Sequence, residues 1–555
     1  MSSDTWAGLG QVGLLLLALA LCYKPLGDYL ARAFTSPKHW RVEKAVYRLV
    51  RVNPESEQRW TTYAGALLGF SLAGALLLYV LQRIQAILPW AFGHSGIVPS
   101  MAFNTAVSFM TNTNWQSYVP ETTMGDAVPL LGLTVQNFVS GACGIAVAIA
   151  LIRGFARSRT DRLGNFWVDL TRATIRVALP IAFLAAIVLV GLGVVDSFAG
   201  SASVTTIDGA SHTLSLYPAA GEESIKELFN NGGGIYNANS AHPFENPDSW
   251  SDLLEIFLIL VVPVCLTRTL GVMVGNKKQG YTLLSVMGVL WGLMLALIWW
   301  SEAHPTGKAA LLAGSGMEGK ETRFGIPGSS LFADATTSTS TGAVNAAHDS
   351  LSGLGGGGAM LNMMFSEMTP GGVGTGIYSI LIMAVIAVFL AGLMVGRTPE
   401  YLGKKLGRVE VTMASIGMLI MPTLVLVFSG LAIALPSTRN AMENSGIHGF
   451  SEVLYAYTSA SNNNGSAFAG ITVTGDFFQS TLGICMLLGR FVTMLAALAL
   501  AGSLARQRKA PETAGTLPTT GPLFAALVGG TIVLVAAIVF IPALTLGPIA
   551  EALTK

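Results

Sequence analysis

The chain has 555 residues, of which 52% are hydrophobic and only 11% charged, with a formal net charge of +1. Soluble proteins carry about 25% charged residues, so this chain has too little charge to coat the several water-facing domains its length would form. That excludes soluble multidomain and disordered architectures, and the near-zero net charge excludes a nucleic-acid partner held by bulk electrostatics.

A bilayer core about 30 Å thick asks for roughly 20 apolar residues per helix. Residues 9–30 form the first such stretch. It lacks a basic start, and no small-residue cleavage site precedes Lys24-Pro25, so it reads as a span rather than a cleaved signal. A basic connection with Arg32, Lys38, Arg41, Lys44, Arg48, Arg51 and Arg59 leads to the second span, 61–82. Then comes a short run, Ser100-MAFNTAVSFM, followed by the polar string Thr111-NTNWQSY and the third span, 127–152. The same order repeats three times. Span 172–195, the run Glu223-SIKELF, the string Asn230-NGGGIYNANS and span 250–275 make the second unit. Span 281–300, Ser329-SLFADATTS, Thr339-STGAVN and a broken span over 361–396 make the third. Span 411–435, Phe450-SEVLYAYTSAS, Asn462-NNGSAFAG and span 477–504 make the fourth, and span 522–546 closes the chain. The resulting segments are 1–60, four repeats at 61–152, 172–276, 281–396 and 411–504, and a final segment 522–555.

Five connections hold twenty-three Lys and Arg residues, and the alternate connections with the C-terminal tail hold seven: Arg83, Lys226, Lys308, Lys320, Arg323, Arg439 and Lys555. Basic loops stay cytoplasmic, which predicts both termini outside. The four short runs are too short to cross and sit between full spans, the pattern of a reentrant half-helix followed by an extended filter. Irregular backbone at membrane depth must line water or be buried in protein. Backbone carbonyls replace a cation's hydration shell without adding formal charge, and turning them toward one axis needs residues that tolerate unusual φ/ψ, such as Gly and Asn. Each half-helix aims its partly negative C-terminus at the ion. The filter centres align as Thr111-Asn112-Thr113, Asn230-Asn231-Gly232 with Gly233 beside it, Ser340-Thr341-Gly342 and Asn463-Asn464-Gly465. Thr113 then stands where the others have Gly, and a β-branched residue avoids φ > 0, so the first quarter should differ in backbone. Unlike triads on one chain predict an all-α polytopic membrane protein whose four span–half-helix–span repeats form a pseudo-fourfold, channel-like pore. Neutral oxygens without rings of Asp or Glu favour a large monovalent cation over calcium or magnesium.

Ionisable groups within spans are costly and point to function. Glu367, in the broken seventh span, and Arg490, in the ninth, both fall below the filter. They are expected either to pair or to leave Arg490 as a positive barrier at the ion's exit. Glu255 is expected at a helix end or in packing. The glycine-rich strings Leu351-SGLGGGGAM and Thr369-PGGVGTG should interrupt the seventh span as a mobile loop beneath the filter, since each glycine costs a helix about 1 kcal/mol. Cys22, Cys143, Cys265 and Cys485 are far apart in apolar runs and read as buried hydrophobes. No phosphate loop, HExxH zinc motif or DKTG-like phosphorylation sequence is present. The seven histidines show no catalytic spacing, so no ATP site and no catalytic activity of the chain alone are expected.

Eight strings carry a resemblance to a known family: Thr111-NTNWQSY, Gly232-GGIYNANSAHPFENP, Met317-EGKETRFG, Ala391-GLMVGRTPEYLGKK, Gly449-FSEVLYA, Asn462-NNGSAFAG, Gly515-TLPTTGPLF and Ile541-PALTLGPIAE. Together they resemble the potassium-binding A subunits (KdpA) of the bacterial Kdp potassium-transporting P-type ATPases, within the wider Trk/Ktr/HKT superfamily. The resemblance implies K+ as the transported ion, the inner membrane as location, and partnership with the ATP-hydrolysing KdpB, with KdpC and with a small KdpF peptide. It also implies a sideways ion exit toward KdpB. Gln116 matches a position that affects affinity and is expected to brace the filter rather than ligate the ion; Asn239 is placed beside it as support. Thr341 stands where the family commonly has Cys. The alternative function is a stand-alone Trk/Ktr-like channel or symporter.

Overall fold

The computed structural model describes residues 3–305, 316–511 and 516–554; Lys308, Lys555 and the Gly515 end of its string lie outside the described residues. Among the described residues, ten helices are long and apolar enough to cross a membrane: Asp4–Thr35, Trp60–Arg83, Pro129–Ala156, Phe166–Leu192, Ser249–Met273, Lys277–Ala303, Thr375–Val395, Arg408–Ala434, Asp476–Arg506 and Pro522–Leu546. Nine of them lie within about six residues of their predicted stretches, because the length of the apolar run sets the length of a span; the seventh begins at Thr375 rather than at 361.

Burial divides the spans into two rings. In the third, fifth, seventh and ninth, 89%, 78%, 67% and 61% of the most apolar window is buried. The second, fourth, sixth and eighth reach only 22%, 33%, 44% and 39%. The first span of each repeat therefore turns its apolar side chains outward to lipid, with Leu72, Phe183 and Leu184 more than half exposed, and the second span lines the interior. Between them lie the half-helices Pro99–Met110, Ala219–Leu228, Gly325–Ser338 and Ile447–Asn462. The ninth span packs on the first half-helix and the third span, so the last repeat closes onto the first.

The seventh span breaks at the second of the two predicted glycine-rich strings, beginning at Thr369, and not at the first. Gly353–Met364 is helical despite Gly355–Gly358, and the interruption falls over 365–374. The reason is packing. A Cβ on Gly356 would come within 2.9 Å of the Phe468 ring, one on Gly358 within 2.9 Å of Ile298, and one on Gly357 within 3.0 Å of Pro548. The glycines let this helix lie against the sixth span, the fourth hairpin and the C-terminal helix Pro548–Leu553, and that close packing offsets their poor helix propensity.

The basic connections fold together. Gln58–Arg59 pairs antiparallel with Arg162–Gly164. Arg153 donates to both oxygens of buried Asp169 at 2.6 and 2.8 Å, and Arg176 pairs with Glu43. On the opposite side, Ser201–Thr205 and Ser211–Ser215 form a β-hairpin that the sequence pattern did not indicate.

Candidate functional site

Each half-helix ends in a turn that fixes the strand after it. The amide N–H groups of Thr113, Asn231 and Asn464 donate to the carbonyls of Ser108, Lys226 and Ser459, five residues back, at 2.8–2.9 Å. In the third and fourth hairpins the Gly342 and Gly465 N–H groups donate to the Thr336 and Ser459 hydroxyls at 3.0 Å. These bonds set the register: Asn112-Thr113-Asn114 lies opposite Asn230-Asn231-Gly232, Ser340-Thr341-Gly342 and Asn463-Asn464-Gly465. The first triad thus shifts by one from the register expected on sequence. Asn114, not Thr113, takes the glycine place. It does so at φ 56°, a left-handed conformation that Asn tolerates and a β-branched residue does not. Thr111 instead caps its half-helix, with Oγ1 donating to the Val107 carbonyl at 2.8 Å and lying 2.8 Å from the Thr113 hydroxyl.

The four hairpins meet edge to edge in a closed ring. A Cβ on Gly232 would sit 2.9 Å from the Thr341 carbonyl oxygen; one on Gly342 would strike the Asn464 carbonyl, and one on Gly465 the Thr113 carbonyl. The first and second hairpins complete the circle, since a Cβ on Gly233 would lie 2.6 Å from the Asn114 carbonyl. Four asparagine amides bridge the same seams. Asn112 Nδ2 donates to the Asn230 carbonyl at 2.7 Å, Asn230 Nδ2 to Thr341 Oγ1 at 2.8 Å, Asn464 Nδ2 to the Thr339 carbonyl at 2.7 Å and Asn463 Nδ2 to Thr113 Oγ1 at 3.0 Å. Every triad residue with a side chain is buried. Gln116 spans the first seam from outside the triads: its amide donates to the Gly234 carbonyl at 3.2 Å and accepts from the Gly234 N–H at 3.1 Å. Asn239 lies behind the second hairpin, its Oδ1 accepting from Lys226 Nζ at 3.1 Å.

Beneath the third and fourth hairpins the broken span brings in Glu367. Its carboxylate accepts from the Ser340 hydroxyl and, at 2.9 Å, from Asn464 Nδ2. Ser366 and Glu367 both hold φ near 50°, a strained conformation for such residues that persists only where surroundings fix it. Arg490 does not pair with Glu367. Its two terminal nitrogens have no hydrogen-bond partner among the described residues, although the side chain is 2% exposed, and Nη2 approaches Gly144 of the third span. The carboxylate is already held by two uncharged donors, so the expected salt bridge is not formed. Glu255 is fully buried, with neither oxygen hydrogen-bonded among the described residues, close to Glu223 and Glu227 of the second half-helix.

Two features have no counterpart in the sequence pattern. Lys226, Glu223 and Glu245 form a buried ion-pair cluster behind the second hairpin. His448 sits between Asp349 and Glu551 at 3.0 and 2.9 Å, although each carboxylate is about 100 residues away in sequence. No local motif signals either one; a lysine beside glutamates on a run bounded by apolar spans was the only hint.

Ten spans enclosing four half-helices and a closed ring of hairpins define a multi-pass, single-chain, pseudo-fourfold pore protein. The chain belongs to the family described as the potassium-transporting ATPase A subunit (KdpA), whose model matches residues 13–553. It is 59% identical to the potassium-transporting ATPase potassium-binding subunit of Rhodococcus erythropolis (strain PR4), with all of both chains covered. It is 57% identical to the subunit so named in Mycobacteroides abscessus, again over all of both chains. The corresponding subunit of Streptomyces coelicolor is 57% identical over 99% of this chain and 100% of its own. Among solved structures, the potassium transporter TrkH from Vibrio parahaemolyticus matches at 15% identity and TM-score 0.49, covering 85% of this chain and 96% of that one.

Proposed function

We propose that this chain is the potassium-binding and translocating subunit of an ATP-driven uptake complex, with its filter in the ring of four hairpins. The observation that carries the proposal is ring closure: each seam brings backbone of one hairpin against a carbonyl of the next, too tightly for a side chain. The proposed filter residues are Asn112, Thr113, Asn230, Asn231, Gly232, Gly233, Ser340, Thr341, Gly342, Asn463, Asn464 and Gly465, with Asn114 added and Thr111 as the cap. Gln116 and Asn239 support them. Carbonyls on such a ring replace the water shell of a K+ ion, and the half-helix C-termini add negative potential. Asparagine bridges hold the ring's diameter, and that diameter decides which dehydrated ion fits. The four repeats at 61–152, 172–276, 281–396 and 411–504 each contribute one hairpin, flanked by 1–60 and 522–555.

Below the ring, unpaired Arg490 places a positive charge at the exit, and the ion turns sideways toward an ATP-hydrolysing partner. KdpB supplies the drive, KdpC and the small KdpF peptide complete the complex, and this chain hydrolyses no ATP. Moving one charge across 100 mV is worth about 2.3 kcal/mol, so voltage alone cannot scavenge scarce K+, and family membership favours a complex subunit over a stand-alone channel. The basic connections face the cytoplasm and both termini face outside the inner membrane.

Two measurements test this. The chain purified with its native neighbours should carry K+-stimulated ATPase activity, and a rubidium anomalous signal should fall inside the ring. In that complex Gly232→Asp puts a Cβ against the Thr341 carbonyl and should raise the apparent K+ constant at least about tenfold, the scale of a single hydrogen bond to a charged group, or relax rubidium discrimination. Unchanged affinity and discrimination would remove Gly232 from the filter.

A further inference from the structure

The second hairpin is anchored from behind by charge. Glu245 Oε1 accepts from the N–H groups of Ile235 and Tyr236 at 3.0 and 3.1 Å, on the strand that continues Gly232-Gly233-Gly234. It stands so close that a Cβ on Gly234 would lie 2.7 Å away. Its other oxygen, Oε2, accepts from Lys226 Nζ at 3.1 Å. Lys226 sits near the end of the second half-helix, and its own carbonyl accepts from Asn231 N–H at 2.8 Å. One residue therefore grips the filter at both ends: the backbone at the start of the hairpin, the side chain through Glu245 at its exit. The ammonium is completed by Glu223 at 2.6 Å, Asn239 at 3.1 Å, Ser240 at 3.4 Å and Glu227 at 3.6 Å, and neither Lys226 nor Glu245 is more than 1% exposed.

We infer that Lys226 and Glu245 are positioning residues that set the selectivity of the second filter hairpin, with Lys226 acting through the Glu245 carboxylate on the Ile235 and Tyr236 N–H groups. This role rests on the proposed filter. The physical reason is stiffness. Gly232, Gly233 and Gly234 have no side chains to brace, so their carbonyl directions depend on what holds the flanking amides. A carboxylate that is itself fixed by a buried ammonium is a stronger and less mobile acceptor than a neutral amide. Burying the pair is expensive unless its remaining hydrogen-bonding capacity is filled, and here five acceptors surround the ammonium while two backbone N–H groups occupy the free carboxylate oxygen.

The test uses the purified complex and K+- and Rb+-stimulated ATPase activity. Glu245→Gln and Lys226→Met should each raise the KM for K+ about tenfold, the scale of one charged hydrogen bond, and narrow the Rb+/K+ ratio of KM values while kcat at saturating K+ stays within about twofold. The double variant should be no worse than Glu245→Gln alone, because Lys226 works through that carboxylate. Independent, multiplicative effects in the double variant would overturn the inference, as would a loss of kcat or assembly with KM and ion ratio unchanged. Glu245→Asp keeps the charge but retracts the carboxylate by one methylene; it should shift the ion ratio in the same direction, and it carries the test if the neutral variants do not assemble. Gly232→Asp separates the two levels. If it is silent, Gly232 leaves the filter and the reading of the second hairpin on which this role rests fails; if it shifts KM while both Lys226→Met and Glu245→Gln are silent, only the positioning role fails.

Discussion

The seam between the first and second hairpins and the seam between the third and fourth solve one problem with different chemistry. At the first, the triads are braced by neutral groups. Asn112 bridges to the Asn230 carbonyl, Ser140 donates to Asn112 Oδ1 at 2.7 Å, Asn231 Nδ2 donates to the Asn137 carbonyl at 3.2 Å, and Asn114 Nδ2 donates to Asn137 Oδ1 at 2.6 Å. At the other, one carboxylate, Glu367, receives Ser340 and Asn464 together. The difference lies in the inner span of each repeat. The third span runs unbroken behind its hairpin and offers only what a helix face can present, Asn137 and Ser140. The seventh is broken over 365–374, so its loop reaches up under the ring, with Gly371 N–H donating to the Ser338 carbonyl at 2.9 Å. A break in a span thus places a charged brace where a continuous helix cannot.

The sharpest way to break that contrast is Glu367→Gln. An amide turns one of its ends into a donor facing a donor, and two hydrogen bonds to a charged group, about 1.5–3 kcal/mol each, are removed or weakened. The apparent K+ constant should rise about a hundredfold, measured by K+-stimulated ATPase activity of the complex; an unchanged constant would detach Glu367 from the filter. On the neutral seam, Asn112→Ala removes uncharged bonds worth about 1 kcal/mol each and should raise the constant roughly tenfold, clearly less than Glu367→Gln. Equal effects at both seams would erase the distinction between them.

Arg490→Gln asks whether the charged seam depends on a counter-ion. With no salt bridge to break and the desolvation cost of a buried, unpartnered charge removed, assembly and thermal stability should be kept or raised, while K+ flux or its coupling to ATP shifts by a few-fold. A large loss of stability would mean that Arg490 balances Glu367 after all.

The smallest effect belongs to the outer rim of the charged half. Hydrogen bonds to Asp349 and Glu551 push the His448 imidazole up to about 10, above its ordinary value near 6.5. A raised folded-state value means that the protonated clasp contributes fully below about pH 6.5 and is lost as pH rises through about 10. Hydrogen-exchange protection of Pro548–Leu553, which Glu551 ties to His448, should therefore fall between about pH 7 and about pH 10. In His448→Gln it should be low and flat, and a wild-type profile without slope would exclude the clasp.

Much of this was legible in the sequence. Span lengths followed from apolar runs, the four half-helices from runs too short to cross, and the hairpins from Asn and Gly clusters at matching places, because bilayer thickness and backbone conformation act on each segment locally. Three particulars were not legible. Asn114 can replace glycine at positive φ, which displaced the first triad by one residue; the glycines at 355–358 are helical because neighbours fill the space their side chains would take; and Glu367 chose Ser340 and Asn464 over Arg490.

The amino-acid order by itself thus determined how many times the chain crosses, where it turns back and which oxygens each turn can offer, since those depend on hydropathy and φ/ψ freedom within a few residues. Only the tertiary structure decided which hairpin meets which, which buried charge is satisfied by whom, and where the broken span reaches the ring. Lys226 and Glu245 are nineteen residues apart, and Glu367 and Asn464 nearly a hundred, so each partnership exists only once packing has removed water from between them and left one acceptor within reach of one donor.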